Sequence, residues 1–431
     1  MTSKKAKLLT IFIITASLSN MFGCSRIYND TDILTDTSTG EYIHTDNIET
    51  TDNTTVTDAA NINTDIAHTT DNNKNNDNNN TDNKDIPFME EHMKFQGRHI
   101  FENNIEWLVQ SGSSAEFEVT GTNVSVTIAG DSSIYGTSSD YRPRYAVYVD
   151  DELIRDKTIS APEENVILFE EGSPRTANVR IVMLSEAVYG AIGIKDLNIL
   201  GGDKESITPA PEKELAIEFI GDSITCGYGV ESSEGSESFS TSTENFYKSY
   251  AYIAANELNA DYSVTAYSGY GVIYGCCSGD PNPDETLIKY YDIESQFEPY
   301  NKKHDFTKRK MDAVVINLGT NDTCYVDKDN KASCDEFTSG YIALLKKVRS
   351  NNPDSVIICT VGLMGGNESI YPLIQNAVKK LDDDKIICFL SEHQDIDKDG
   401  AGAAWHPSEK TQKQYGHIVA EEIKKALDEC R

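Results

Sequence analysis

The chain has 431 residues, of which 38% are hydrophobic, so it can form two hydrophobic cores once its polar stretches are set aside. Its formal net charge is -32, from 70 acidic and 38 basic residues. Such a surface repels phosphate backbones and anionic lipid head groups, which argues against a nucleic-acid-binding protein. The charge favours no particular substrate, because a neutral polysaccharide is indifferent to it.

The N-terminus has the pattern of a bacterial export signal. Three lysines among the first seven residues precede an apolar run from Leu8 to about Phe22, and Cys24 follows a small residue. The run is too short for a comfortable transmembrane helix. We predict a signal peptide over residues 1–23 and lipidation of Cys24; the alternative is an ordinary signal peptide with an unmodified cysteine. Either version places the mature protein outside the cell, and lipidation holds it at the cell surface.

The next segment is dominated by Asn, Thr and Asp. It has almost no large apolar residues, so nothing in it offsets the entropy lost on ordering. We predict a disordered stalk over residues 24–87, which would hold the folded part away from the membrane.

Short apolar runs with a period of two follow, and no helical period interrupts them. Turn-forming residues at 121–123 and 150–152 favour hairpin connections. Residues 88–204 are therefore predicted to form an all-β sandwich of jelly-roll type. Residues 205–214, with Pro209 and Pro211, are predicted to be a linker.

From residue 215 to 431 the pattern changes to apolar runs that alternate with helical stretches. Runs that are apolar on both faces and separated by helices predict a parallel sheet covered on both sides, which is an α/β three-layer domain of flavodoxin-like strand order. The apolar runs lie at 215–220, 262–267, 313–318, 356–361 and 386–390, and the helical stretches include 245–258, 338–350 and 409–426.

Residues that could form a catalytic site follow these runs. They lie where the strands end, at the edge where parallel sheets bind ligands. Ser223 ends the first run, Gly269 follows the second, Asn321 follows the third, and His406 precedes the last helix. Attack of a seryl hydroxyl on an ester needs a base and donors for the oxyanion. We predict Ser223 as nucleophile, His406 as base, and the main-chain N–H groups of Ser223 and Gly269 with the Asn321 amide as oxyanion hole.

This order of Ser, Gly, Asn and His resembles the SGNH (GDSL) hydrolase superfamily. The segments 217–229 and 243–250, together with a preceding sandwich that begins near Gly97-Arg98, are similar to carbohydrate esterase family 2. The resemblance implies a β-sandwich joined to an SGNH domain. It also implies removal of O-acetyl groups from plant polysaccharides of the xylan or glucomannan type, in several members at the 6-position, through an acetyl-serine and without a cofactor.

One position departs from the superfamily pattern. Most members carry an Asp three residues before the histidine, where this chain has Ala403. Either a backbone carbonyl orients His406, as described for some members of family 2, or a carboxylate from Asp395, Asp397 or Asp399 folds back. We favour the carbonyl, because the glycines at 400 and 402 make that loop flexible. His393 is a competing base, but it lacks the Pro-Ser and the helix start that follow His406.

The remaining candidates are open to two interpretations. Tyr270, Tyr274 and Trp405 stack on a sugar at the mouth of the site, or they pack the rim of the core. Disulfide pairing is not readable from the nine cysteines, and the pair Cys276-Cys277 has no zinc-site spacing, so no metal is predicted.

The expected partner is an acetylated polysaccharide or oligosaccharide, with membrane contact only through the N-terminal lipid; the oligomeric state is not predicted. Two other functions stay open. One is a surface glycan-binding protein with a weak or inactive hydrolase domain, which the missing Asp would suit. The other is an SGNH lipase or thioesterase with a short acyl substrate, because no long apolar lid segment lies beside the motifs.

Overall fold

A computed structural model describes residues 88–276 and 279–430, apart from the side chain of Lys204. The signal peptide, the lipidated Cys24 and the stalk all fall within residues 1–87, outside the described residues, and stay predictions. No helix of the described ranges is both long enough and apolar enough to cross a membrane.

The first part of the described chain is built almost entirely of β-strands. Nine strands form one sheet in which β2, β3, β8, β4, β7, β5 and β6 are neighbours in that order, while β1 and β9 also pair with β4. The elements are α1 (Phe88–His92), β1 (Lys94–Gln96), β2 (His99–Glu102), β3 (Ile105–Leu108), β4 (Ser114–Gly130), β5 (Arg144–Val149), β6 (Glu152–Thr158), β7 (Glu163–Met183), β8 (Ile192–Leu200) and β9 (Ile207–Pro209).

The core of this domain explains the period of two in the sequence. Alternate residues of β4, among them Phe117, Val119, Val126 and Ile128, are buried in a single apolar cluster. Side chains of a strand point alternately to its two faces, so one face of this curled sheet encloses the core. The predicted β-sandwich is confirmed.

The hairpin expected at residues 121–123 is wrong. β4 continues through these residues for 17 residues in total, and its pairing with β7 shifts register between Gly121 and Asn123. The neighbouring strand β7 is likewise continuous over 21 residues. The hairpin at Asp150-Asp151 is confirmed, and both residues adopt the positive φ that a tight hairpin turn requires, 50° and 64°.

The predicted linker is partly sheet. Ile207–Pro209 forms β9 and pairs antiparallel with residues 117–119 of β4. A short edge strand tolerates Pro209, because the missing N–H faces away from the ladder.

The second part of the described chain is the predicted α/β domain. Its elements are β10 (Leu215–Gly221), α2 (Ser223–Cys226), α3 (Tyr250–Glu257), β11 (Ala260–Ala266), α4 (Leu287–Tyr290), β12 (Ala313–Asn317), α5 (Lys331–Asn351), β13 (Val356–Thr360), α6 (Tyr371–Leu381), β14 (Ile386–Cys388), α7 (Ile396–Asp399) and α8 (Glu409–Glu429).

The five strands of this domain form a parallel sheet in the order β11, β10, β12, β13, β14, the flavodoxin-like order that was predicted. Val314 and Ile316 of β12 pack in the cluster that includes α5 and α6, whereas Ala313 and Val315 pack in the cluster that includes α3 and α8. Helices therefore cover both faces, and the carboxyl ends of β11, β10 and β12 lie side by side.

Candidate active site

Ser223 lies at a sharp change from strand to helix. Gly221 is the last residue of β10, Asp222 caps the next helix, and Ser223 is the first residue of α2. Asp222 Oδ1 accepts the N–H of Ile224 at 3.0 Å, which satisfies one of the free donors of the first turn. The hydroxyl of Ser223 is thereby placed at the carboxyl edge of the central strand.

His406 contacts this hydroxyl. Its Nε2 lies 2.9 Å from Ser223 Oγ, and its Nδ1 lies 3.2 Å from the main-chain oxygen of Ala403. A carbonyl oxygen only accepts, so Nδ1 carries the proton and donates it, which leaves Nε2 as the acceptor for the hydroxyl of Ser223. The geometry is that of a nucleophile, its base and a carbonyl that fixes the tautomer.

The orienting carbonyl is itself held by the backbone. Ala403 N–H donates to Gly229 O at 2.9 Å, and His406 N–H donates to Ala403 O at 3.1 Å. Ala404 and Trp405 have φ values of 49° and 63°, a left-handed conformation that costs free energy for residues with a Cβ. Two such residues in a row turn the loop so that His406 reaches Ser223.

Of the three carboxylates that could have replaced the missing Asp, two contact other groups, and Asp397 is exposed on α7. Asp395 caps α7 by accepting the N–H of Lys398 at 3.2 Å, and Asp399 pairs with Lys410 at 2.7 Å.

We therefore expect the single substitutions Asp395→Ala, Asp397→Ala and Asp399→Ala to leave kcat within a few-fold of wild type. Steady-state turnover of a chromogenic acetyl ester measures this, and a loss of orders of magnitude in any one variant would show that a carboxylate orients His406.

The competing base, His393, forms an isolated main-chain bridge with Leu363. Two further histidines have acidic partners: His417 pairs with Glu257, and His99 contacts Glu106 in the sandwich. Of the two histidines considered as the base, His406 is the one whose ring contacts Ser223.

The proposed oxyanion donors lie on the two loops beside Ser223. Gly269 follows β11 with a φ of 78°, and Asn321 follows β12. The Asn321 amide donates to Tyr270 O at 2.9 Å and to Oδ2 of Asp222, the residue before the nucleophile, at 3.4 Å. The structure thus brings Ser223 and His406 into contact and Asn321 beside them, with Gly269 on the adjoining loop.

Asp322 fixes the loop that follows Gly269. Its carboxylate accepts three consecutive main-chain N–H groups at 2.8 to 3.1 Å, those of Val272, Ile273 and Tyr274. Asp322 thus holds a segment of chain that lies about 50 residues earlier in the sequence. Burial raises the pKa of Asp322 to about 6 and that of Asp222 to about 7.

The three aromatic candidates differ in position. The ring of Tyr274 is half-buried and stacks on that of Tyr325, with 3.9 Å between the centroids. Tyr270 is 7% exposed, its ring centroid lies 5.2 Å from that of Tyr267, and its hydroxyl donates to Gln296 at 2.7 Å. This position favours the packing alternative. Trp405 is 44% exposed and adjacent to His406, so its role in substrate binding stays a prediction.

A row of stacked rings that the sequence analysis missed lies behind His406. The centroid of Tyr228 is 4.2 Å from that of His406, Phe239 is 3.9 Å from Tyr228, and Tyr189 of the sandwich is 5.0 Å from Phe239. These residues are far apart in sequence and lie on no periodic element, so no local pattern links them. They shield the imidazole from water on that side.

This shielding has a consequence for pH dependence. Burial lowers the pKa of His406 from 6.5 to about 4, because the charged imidazolium loses its hydration. The neutral ring is the base, so kcat/KM should rise as the pH increases through the region of this pKa and be near its plateau by about pH 6. A pH profile of kcat/KM on a soluble acetyl ester measures this; a half-maximum at about pH 6.5 or above would show that the imidazole is solvated.

Two groups of side chains have ligand atoms close enough to hold a metal ion, within the described residues. They are Glu90, His99 and Glu106 on the sandwich, and the buried Glu186, Cys226 and Glu244. Neither contains Ser223 or His406. The described cysteines classed as free thiols are Cys226, Cys276, Cys324, Cys334, Cys359, Cys388 and Cys430.

A serine hydrogen-bonded to a histidine at the carboxyl edge of a parallel sheet defines the class of serine hydrolases. Residues 219–413 match the GDSL-like lipase/acylhydrolase family, and residues 95–211 match the carbohydrate esterase 2 N-terminal domain. The chain therefore contains a GDSL-like lipase/acylhydrolase domain preceded by a carbohydrate esterase 2 N-terminal domain, as its motifs suggested.

Characterised relatives agree with this assignment. The cellulase/esterase CelE of Acetivibrio thermocellus is 32% identical over 328 residues, which cover 74% of this chain and 37% of that protein. An acetylxylan esterase / glucomannan deacetylase of Cellvibrio japonicus is 29% identical over 210 residues, which cover 46% of this chain and 56% of that protein. The chain thus spans a little more than a third of the first relative and a little more than half of the second.

Nearly the whole length of one solved structure matches this chain. The family two carbohydrate esterase from Clostridium thermocellum, in complex with cellohexaose, superimposes with a TM-score of 0.68 at 29% identity. The match covers 78% of this chain and 99% of that one.

Proposed function

We propose that this protein is a carbohydrate O-acetyl esterase that removes acetyl groups from plant polysaccharides of the xylan or glucomannan type. The observation that carries the proposal is the 2.9 Å contact between Ser223 Oγ and His406 Nε2 in a chain that also has the sandwich of carbohydrate esterase family 2. The acetylxylan esterase / glucomannan deacetylase relative supports the substrate class.

The reaction follows from the geometry. His406 Nε2 takes the proton of Ser223 as Oγ attacks the acetyl carbonyl, while the Ala403 carbonyl stabilises the imidazolium through Nδ1. The N–H groups of Ser223 and Gly269 and the Asn321 amide bind the oxyanion. When the tetrahedral intermediate collapses, the sugar oxygen leaves with the proton from His406. Water activated by His406 then cleaves the acetyl-serine, which releases acetate and restores Ser223.

An exposed aromatic side chain beside the Ser223–His406 pair suits an ester carried on a sugar. Trp405 exposes nearly half of its side chain beside His406, and a flat aromatic face of this kind stacks on a sugar ring. We infer that the polysaccharide lies across Trp405 with its acetyl group directed at Ser223.

A panel of acetylated xylan, acetylated glucomannan and defined monoacetyl sugars tests this function. We expect acetate release by wild type, with the fastest member of the panel identifying the sugar position. Wild type that releases no acetate but is retarded in gels containing cellohexaose would support the glycan-binding alternative. Faster cleavage of long acyl esters than of acetyl esters would support the lipase or thioesterase alternative.

We further propose that the mature protein is anchored outside a bacterial cell through a lipid on Cys24. The support is the N-terminal sequence: lysines, a short apolar run and a small residue before the cysteine. Wild type expressed in a bacterium should partition into the detergent phase of a phase-separating detergent, and Cys24→Ala should partition into the aqueous phase. Equal partitioning of the two proteins would contradict the anchor.

A further inference from the structure

Two fully buried glutamates meet where the sandwich contacts the hydrolase domain. Glu186 lies between β7 and β8 of the sandwich, just before a short 3₁₀ helix at Ala187–Tyr189, and Glu244 lies between α2 and α3. Both side chains are inaccessible to solvent. Neither belongs to the sequence motifs that identify the catalytic residues.

Glu186 contacts the loop that carries Gly269 and the helix that carries Ser223. Its Oε2 accepts the main-chain N–H of Ser268 at 2.8 Å, and Ser268 immediately precedes Gly269. The thiol of Cys226, three residues after Ser223 on α2, lies 3.8 Å from the same oxygen. One carboxyl group of the sandwich thus touches the loop after β11 and the helix after β10.

Glu244 completes this arrangement. Its Oε2 accepts the main-chain N–H of Glu186 at 3.1 Å, and ligand atoms of Glu186, Glu244 and Cys226 all lie within 4.8 Å of one another. The nearby Asp222 adds negative charge, and the guanidinium of Arg144 donates to the main-chain oxygen of Glu244. Two adjacent buried carboxylates repel each other and lack hydration, which favours protonation of one of them. Burial accordingly raises the pKa of Glu186.

The contact with Ser268 matters because of the glycine after it. Gly269 has a φ of 78°. A glycine lacks a Cβ, so its backbone could also adopt other conformations at this point. The hydrogen bond from the Ser268 N–H to Glu186 restricts the peptide that precedes Ser268. This restriction also limits the direction in which the Gly269 N–H can point. An oxyanion hole is effective only when its donors are aligned before the reaction.

We propose that Glu186 is a positioning residue for the oxyanion hole, supplied by the sandwich domain and held by Glu244. The sandwich then contributes to turnover itself and does not serve only to bind glycans. This inference rests on the proposed ester hydrolysis at Ser223.

Two substitutions of Glu186 separate positioning from stability. Glu186→Met keeps the volume but removes the acceptor for Ser268, so we expect kcat to fall about 10- to 100-fold with KM changed less than about three-fold. Glu186→Gln keeps a carbonyl acceptor and supplies an N–H donor toward Glu244, as a protonated carboxyl would. We expect it to retain kcat within a few-fold.

A matched control is Glu106→Met, which changes another fully buried glutamate of the sandwich, on β3, whose side chain contacts His99. It should lower the melting temperature without lowering kcat. If Glu186→Met keeps wild-type kcat, or if Glu186→Gln loses more than about ten-fold, the positioning role is wrong. The second criterion applies even if Glu186→Met does not fold.

The rate at which a p-nitrophenyl phosphonate labels Ser223 gives a second readout, because phosphonylation needs the nucleophile and the oxyanion hole but no acetylated glycan. Wild type that is labelled but releases no acetate would contradict the esterase function only, and the Glu186 variants would then be compared by labelling rate. Wild type that is not labelled would overturn both proposals.

Discussion

Ser223→Ala should reduce acetate release by about 10³- to 10⁶-fold, the largest effect of any single substitution in this protein. The substitution removes the atom that bonds to the acetyl carbon and leaves the fold intact, because Ser223 follows β10, a strand whose register is set by β11 and β12. Steady-state release of acetate from a chromogenic ester measures the loss.

His406→Ala should produce a loss of similar size, since Ser223 Oγ is a weak nucleophile without a base. The two residues act as a unit, so the double variant should be scarcely slower than either single one. Losses that multiply in the double variant would show that His406 acts independently of Ser223.

Matched controls exist for both substitutions. Ser355→Ala removes a buried hydroxyl at the opposite edge of the sheet, where it donates to Met311 O, and His417→Ala removes a ring on the outer side of α8. Both should retain near wild-type turnover. A loss in Ser355→Ala as large as in Ser223→Ala would mean that the hydrolase sheet tolerates no such substitution and that the loss does not identify the nucleophile.

The hydrolase fold and its central pair follow from the sequence because the relevant signals are local. Runs that are apolar on both faces mark buried parallel strands, and in such a sheet the residue after each run must lie at one shared edge. That rule places Ser223, Gly269 and Asn321 on neighbouring loops without any knowledge of their contacts. The missing Asp before His406 also pointed to a carbonyl as the orienting group, and the Ala403 oxygen occupies that position.

What escaped prediction depends on contacts between distant segments. The turn signal at residues 121–123 is local, but β4 pairs along its whole length with β7 and β8, and this pairing keeps the strand continuous across a shift of register. Ala404 and Trp405 carry no sequence signature of left-handed backbone; their conformation is imposed by hydrogen bonds to the segment 229–237. Glu186 escaped because its importance arises only where the two domains meet.

The contact between the domains also leads to the second large prediction, at a buried ion pair. Arg98 of the sandwich is 0% exposed, and its Nη2 lies 3.3 Å from Oε1 of Glu218 on β10, which is 2% exposed. Glu218 Oε2 accepts the hydroxyl of Tyr291 at 2.7 Å, and the guanidinium lies 5.4 Å from the centroid of that ring. Each charge is thus compensated inside the protein.

Arg98→Met should lower the free energy of unfolding by about 3 to 5 kcal/mol, because it leaves the carboxylate of Glu218 buried without a cation. Denaturant unfolding followed by tryptophan fluorescence measures the change. Arg175→Met is the control: the side chain of Arg175 is 36% exposed and pairs with Asp150 and Glu171 at the surface, so its loss should cost less than about 1 kcal/mol.

The double variant Arg98→Met, Glu218→Met distinguishes the charge from the packing. It removes both charges and keeps the side-chain volume, so it should recover most of the stability lost in the single variant. Recovery would mean that the ion pair adds little net stability. Its role would then be to specify how the start of the sandwich packs against β10, the strand that precedes Ser223. A double variant less stable than Arg98→Met would instead show that Glu218 stabilises the protein through its hydrogen bond with Tyr291, whatever the charge of residue 98.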